Sequence, residues 1–282
     1  MLCAPAAAVM LLVTGYPVLY AVYLSLLRAD LRFPDDNAWV GLNNYITVLT
    51  SGLWWADVGH TVFITVVSVA IELVLGMLLA LVMHRALVGR GLVRTSALIP
   101  YGIVTVVAAF AWRFAWSAAD GGFIPEVMGW TFDPTDLTHK AWNYVIVITC
   151  EVWKTTPFMA LLLLAGLAQV SEDMLEAAQV DGATWWQRLY KVILPNMRAA
   201  IMVAVLFRAL DAFRIFDSIY VMTRGAQDTE SSSFLTYRQV IEQMQLGLGS
   251  ALSVLLFISV LLLAFLIVRL FKVDLASARG EG

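Results

Sequence analysis

The sequence predicts an all-α membrane protein built on six transmembrane helices. Three observations carry that expectation. Hydrophobic residues make up 61% of the 282 residues and charged residues only 14%, whereas a soluble domain holds about 45–50% apolar and about 25% charged residues. Mean hydropathy is +0.80, an excess too large to hide in a soluble core of this size, so lipid must solvate much of the chain. The apolar residues also gather in long runs, each close to the ~20 residues that a spanning helix needs. Backbone groups in lipid require internal partners, which favours helices over open strands. The runs do not alternate as the strands of a membrane barrel would. The formal net charge of −3 gives no basic field for nucleic acid.

The first run covers residues 2–27. It lacks the basic start and the short apolar stretch of a cleavable signal, so an uncleaved membrane helix is expected. With no polar tail ahead of it, the chain is expected to begin downstream of its natural start. Further runs follow at about 60–84, 96–117, 141–168, 199–221 and 248–271. An even number of spans puts both termini on one side, and loop cations choose that side. Arg85, Arg90, Arg94, Arg188, Lys191, Arg198, Arg269, Lys272 and Arg279 make nine in one set of loops, against Arg28, Arg32, Lys140, Arg224 and Arg238, five in the other. Both termini and the 169–198 loop are therefore expected in the cytoplasm. Loops 28–58, 118–140 and 222–247, rich in Gly, Pro, Asp and Asn turn signals, are expected outside. Trp39, Tyr45, Trp54, Trp55, Trp130 and Trp142 lie near span ends and read as an interfacial aromatic belt. Cys3 and Cys150 are too few for a disulfide framework and read as small core residues.

The polar stretch EAAQVDGATWWQRLYKVILP, residues 176–195, stands between two apolar runs. Ser171 and the acids after it form a helix start. MLEAAQV is a strong helix-forming series. Asp181-Gly182 stops or bends that helix, ATWWQRLYKVI restarts one, and Pro195 turns the chain toward the next span. An amphipathic hairpin resting on headgroups is one reading. Docking of a cytoplasmic partner is another. Ala177, Ala178, Gly182 and Ala183 make a small face that another surface can approach closely, and Glu176 and Asp181 offer anchors to basic groups. A DNA-reading helix-turn-helix does not fit a segment tethered to bilayer spans at both ends.

The spacing E-A-A, three residues, G, nine residues, a branched apolar residue, one residue, L-P resembles the EAA signature of bacterial ABC importer permeases. Glu176, Ala177, Ala178, Gly182, Leu194 and Pro195 match it, and Val192 stands where the family usually has isoleucine. Asp181 and Ala183 complete the D-G-A core of the sugar-importer branch. GYPVLYAVYLSL, VGLNNY and FDSIYVMT fit the same branch, so the resemblance covers nearly the whole chain. VMHRALVGRGLVR, IPYGIVTVVA, EVWKTTPFMALLLLAGLA and LFRALDAFRIFD look like the first permease subunit of actinobacterial trehalose importers. The resemblance implies the ABC importer permease fold and alternating access between the two sides of a bacterial inner (plasma) membrane. It implies that residues 169–198 carry the coupling helix, seated in a cleft of an ATPase subunit. It also implies a homologous second permease subunit, two ATPase subunits, and an extracytoplasmic sugar-binding lipoprotein. No G-x-x-x-x-G-K-[ST] phosphate loop occurs in the sequence. ATP and Mg are therefore expected in the partners, and no cofactor or metal on this chain.

The run over 199–221 carries Arg208, Asp211, Arg214 and Asp217, each three residues from the next and alternating in sign. Neighbours at i, i+3 on a helix can pair. Ionisable groups at bilayer depth usually face a bundle interior or a wet cavity. The four read either as a self-neutralising ladder or as the wall of a hydrophilic pathway, with Phe213 and Phe216 as apolar ring contacts. Glu151 and Lys154 repeat the i, i+3 pairing, followed by Thr155-Thr156-Pro157, where proline frees a carbonyl that hydroxyls can help satisfy. Trp153 beside them is a possible stacking surface or plain packing. Glu72 and Arg113 are lone charges that either pair across helices or line the route. The pathway set is therefore Glu151, Trp153, Lys154, Arg208, Asp211, Phe213, Arg214 and Asp217. Catalytic chemistry is not expected: His60, His84 and His139 lack metal-ligand spacing, and no nucleophile motif occurs. The rival readings are a proton-coupled secondary transporter using the intramembrane carboxylates, a membrane scaffold without a pathway, and a permease of the same family for maltose-like sugars or glycerol phosphate.

Overall fold

The computed structural model describes residues 9–35, 37–85, 90–130 and 132–271. Cys3, the start of the run expected over 2–27, Lys272 and Arg279 lie outside the described residues, as do the side chains of Arg85 and Arg90. Helix α1 runs over Leu11–Ser25 and opens with a π-helical turn. A small hairpin follows, β1 (Leu27–Arg28) pairing antiparallel with β2 (Ala38–Trp39). Helix α2 (Asn43–Thr50) is stapled beneath it. Its Asn44 amide donates to Ser25 O at 2.8 Å and to Leu27 O at 2.9 Å, using carbonyls that the end of α1 leaves open.

The bundle proper is built from α3 (Gly52–Arg85), α4 (Arg90–Gly102), α5 (Thr105–Trp116), α7 (Lys140–Leu167), α10 (Arg198–Ala212), α11 (Asp217–Met222) and α13 (Leu246–Phe271). Shorter helices cap its ends: α6 (Phe123–Met128) and α12 (Ser232–Tyr237) at one, α8 (Glu172–Val180) and α9 (Trp185–Asn196) at the other. Among the described residues, α3, α7 and α13 can each cross a membrane by length and composition, and the bent pairs α4–α5 and α9–α10 bring the number to five. The α1 helix is apolar but shorter.

Helices α3 and α7 form the central pair and run parallel. His60 meets Lys140 at 3.2 Å, Glu72 meets Thr155 at 2.9 Å, and Gly76 lies against Met159. A Cβ at Gly76 would come 2.8 Å from Met159 Cγ, so the missing side chain is what lets the two helices approach this closely. Helix α10 packs antiparallel to α7, with Ala200 over Gly166 near one end and Arg208 against Glu151 near the middle. Two buried clusters fill the interior. One joins α3, α7, α10 and α13 through Ala80, Met83, Met159, Leu163, Ala204 and Ile267. The other joins α3, α5, α7 and α11 through Ile64, Ala109, Ile146, Cys150, Ile219 and Met222.

Two of the expected runs are not single helices. The run over 96–117 bends by 91° between Gly102 and Thr105. Pro100 sits in the last turn before that break, where its ring removes a backbone donor. The run over 199–221 stops at Ala212 and restarts at Asp217. Ser231 Oγ donates to Ile215 O in that gap at 2.7 Å, so a distant hydroxyl satisfies backbone that the helix leaves open. The aromatic belt also needs correction at Trp54. Only 3% exposed, Trp54 packs with Val48, Leu235 and Leu252 instead of facing outward.

Candidate functional site

The two helix breaks meet at the same depth, against the middle of α7. Between them lies a cavity of about 390 Å³. Tyr101 and Thr105 come from the α4–α5 break, Glu151, Lys154 and Thr155 from α7, and Asp211 with the stretch Arg214 to Ser218 from the α10–α11 break. Irregular backbone at bilayer depth is tolerated where it is buried in protein or lines a water-filled cavity. A cavity at broken helices can also bind a solute through backbone and side-chain groups together.

Arg208 organises the buried side of this cavity. It is 0% exposed. Its Nε donates to Glu72 Oε2 at 2.6 Å and its Nη2 to Glu72 Oε1 at 3.0 Å. Nη2 also reaches Glu151 Oε2 at 3.3 Å, and Nη1 reaches Asp211 Oδ2 at 2.7 Å. Thr155 Oγ1 donates to Glu72 Oε1 at 2.9 Å, and Ser218 Oγ donates to Glu151 Oε1. Helices α3, α7 and α10 are thus tied through one guanidinium, a planar fork suited to bidentate carboxylate pairing, and α11 joins them through Ser218 and Glu151. Lys154 Nζ lies 5.6 Å from the Tyr101 ring centroid, within cation–π range. The cavity wall then presents two cations, Lys154 and Arg214, beside three carboxylates, Glu151, Asp211 and Asp217. Such a wall offers both donors and acceptors to a polyhydroxylated solute.

The residues expected along a pathway separate accordingly. Glu151, Lys154, Asp211, Arg214 and Asp217 line the cavity. Arg208 stands behind it. Phe213, 3% exposed, points into the core at the break, and Trp153 sets its ring edge-on to Trp112 with centroids 5.8 Å apart; neither lines the cavity. The i, i+3 ladder holds only for Arg208 and Asp211, because the helix ends at Ala212 and the later steps lose helical geometry. The threonines before Pro157 bond Glu151 O and Val152 O at 2.6 Å each, not the Trp153 carbonyl that the proline leaves without its usual donor. Glu72 is paired across helices, and Arg113 Nη1 donates to Val221 O at 2.9 Å. Tyr101, Thr105 and Ser218 escaped sequence reasoning. The Pro-Tyr-Gly triplet at 100–102 was a usable break signal for the first two.

The second feature is the segment from Ser171 to Asn196. Helix α8 ends at Val180 and turns through Asp181 and Gly182, whose φ of +77° suits glycine and which has nothing within 4 Å of its Cβ position. Its N–H and that of Ala183 bond back to Gln179 O at 3.0 Å and Ala178 O at 2.9 Å. Thr184 then caps α9 with a capping box. Thr184 N donates to Gln187 Oε1 at 2.7 Å, and Gln187 N to Thr184 Oγ1 at 3.4 Å. Arg188 Nη1 reaches across to Gln179 Oε1 at 2.9 Å and ties the two helices together. Glu176, Ala177, Asp181 and Gly182 are exposed, and Ala178 and Ala183 half-buried. Leu189 is buried, whereas Trp186 and Tyr190 are stacked and exposed. Leu194 and Pro195 lie in the last turn of α9, before a 71° bend into α10.

Over 271 residues the chain is 55% identical to the trehalose transport system permease protein SugA of Mycobacterium tuberculosis, covering 96% of this chain and 87% of that one. It is 36% identical over 274 residues to the trehalose/maltose transport system permease protein MalF of Thermococcus litoralis, covering 94% and 90%. In a crystal structure of a bacterial alginate ABC transporter in complex with an alginate pentasaccharide-bound periplasmic protein, one chain has a TM-score of 0.79 to this one. That match covers 95% of this chain and 92% of that one at 19% identity, and it shows a shared fold. Residues 54–274 match the family described as binding-protein-dependent transport system inner membrane component, and the chain belongs to that family.

Proposed function

We propose that this chain is a permease subunit of an ATP-driven importer of trehalose or a closely similar α-glucoside, and forms half of an alternating-access pathway. The near full-length likeness to the mycobacterial trehalose permease carries this reading. The mixed donor and acceptor wall of the cavity supports it, because hydroxyl-rich solutes exchange hydrogen bonds with carboxylates, Lys and Arg alike. On this reading the chain sits in the inner membrane with both termini and the 169–198 loop in the cytoplasm. A homologous permease completes the pathway. Two ATPase subunits, which hold the ATP and Mg, receive the coupling segment through Glu176, Ala177, Ala178, Asp181, Gly182 and Ala183, with Leu194 and Pro195 setting its exit. An extracytoplasmic sugar-binding protein delivers the sugar. The proton-coupled alternative, which would use Asp211, Asp217 or Glu72, loses ground at two of the three, because Asp211 pairs with Arg208 and Glu72 is fully paired.

Reconstitution of the assembled complex in proteoliposomes tests the proposal. Labelled trehalose should accumulate only with ATP and the binding protein present. Uptake that persists without ATP and collapses with an uncoupler would overturn it.

A further inference from the structure

We propose that Glu72 is a positioning residue for the cavity, acting through Arg208. This deepens the reading of the cavity as a sugar site and rests on it. Glu72 lies on α3, is 0% exposed, and does not line the cavity. Its two carboxylate oxygens take the Nε and Nη2 edge of Arg208, and Thr155 fixes Oε1 from α7. With that edge pinned, the planar guanidinium has one remaining direction for Nη1, and Nη1 holds Asp211 at 2.7 Å. The Asp211 side chain is itself 66% exposed and lines the cavity. The second cavity carboxylate, Glu151, receives Nη2 from the same fork. Glu72 therefore orients two groups that face a solute it never touches. The order of contacts is α3 carboxylate, guanidinium, then cavity carboxylates, and only the last stand in reach of a ligand. Glu72→Gln keeps the shape but sets an amide N–H₂ against a guanidinium N–H, two donors with no acceptor between them. The fork must then turn, and Asp211 moves with it.

The experiment uses the whole complex in lipid, with Cys3→Ala and a Thr105→Cys reporter on the cavity wall. The trehalose concentration that half-protects the reporter from a thiol reagent is read, with basal ATPase activity as the check of assembly. Glu72→Gln should raise that concentration about tenfold, the scale of one charge-assisted hydrogen bond, while basal ATPase activity is kept. If the Gln variant does not assemble, Glu72→Asp is read instead. It keeps the charge but falls one methylene short of the fork, and should raise the concentration about threefold on the same scale. Protection at the original concentration in the variant that assembles, with Asp211→Asn raising it, overturns the positioning role and leaves the sugar site standing. Protection unchanged in Glu72 and Asp211 variants alike overturns the site reading itself.

Discussion

The Arg208 cluster and the Ser171–Asn196 segment carry charge in opposite ways. Arg208 has lost all contact with solvent, and its partners come from residues 72, 151 and 211. The segment is mostly exposed, and the bonds that shape it span nine residues or fewer: a capping box, a glycine turn, and the Arg188–Gln179 tie. The first is a tertiary structure held by long-range ion pairs in a low-dielectric interior, where any unpaired member is expensive. The second is a self-contained local fold whose surface is left free. The difference teaches which part the bundle needs for its own stability and which part is shaped by local bonds alone.

Substitution should separate the two. Arg208→Gln is the largest expected effect. It leaves the buried Glu72 without its cation, and breaking a buried pair costs about 3–5 kcal/mol. The yield of folded permease, measured by size-exclusion of the detergent-extracted chain, should collapse. Gly182→Leu should do the reverse. A non-glycine residue at a φ of +77° costs about 1–2 kcal/mol, confined to a turn with open space around it. The permease should remain folded while ATPase stimulation by the loaded binding protein is largely lost. A folded yield as poor as that of Arg208→Gln would erase the contrast. Thr184→Ala is the smallest of the three. Loss of an N-cap costs about 1 kcal/mol, so α9 should fray, seen as faster amide exchange over residues 185–188, with sugar uptake reduced by less than half.

The same contrast explains what the sequence could reveal. Helix, glycine turn and helix over 171–196 follow from the acids Glu172 and Asp173, from Asp181-Gly182 and from the run after Ala183, because each signal acts within a few residues; the Ser171 side chain makes no capping bond. Even the capping box was written there, in Thr184-Trp185-Trp186-Gln187. The apolar runs are legible as runs, since a bilayer sets their length, but the breaks inside 96–117 and 199–221 are not. The pairing of Glu72 with Arg208, 136 residues apart, leaves no trace in spacing or composition. The ladder failed beyond Asp211 for a related reason. Phe213-Arg214-Ile215-Phe216 holds no glycine or proline to mark a break, and the turn is supported from a distance by Ser231. Trp153 and Phe213 stand near charged residues in sequence, yet the break turns Phe213 into the core, and Trp153, 38% exposed, packs edge-on to Trp112 away from the cavity lining.

The central claim is that the cavity meets the solute and the segment meets the engine. Thiol protection in the paired permease subunits in lipid, read before and after the ATPase subunits are added, tests it most directly, with Thr105→Cys reporting on the cavity and Ala177→Cys on the segment. Cys3 is replaced by alanine, and native Cys150 is left in place because it is buried. The account predicts that saturating trehalose protects Thr105→Cys and leaves Ala177→Cys reactive, whereas adding the ATPase subunits protects Ala177→Cys and leaves Thr105→Cys reactive. Equal reactivity of Thr105→Cys with and without sugar, or an Ala177→Cys that stays exposed when the ATPases are bound, would contradict it.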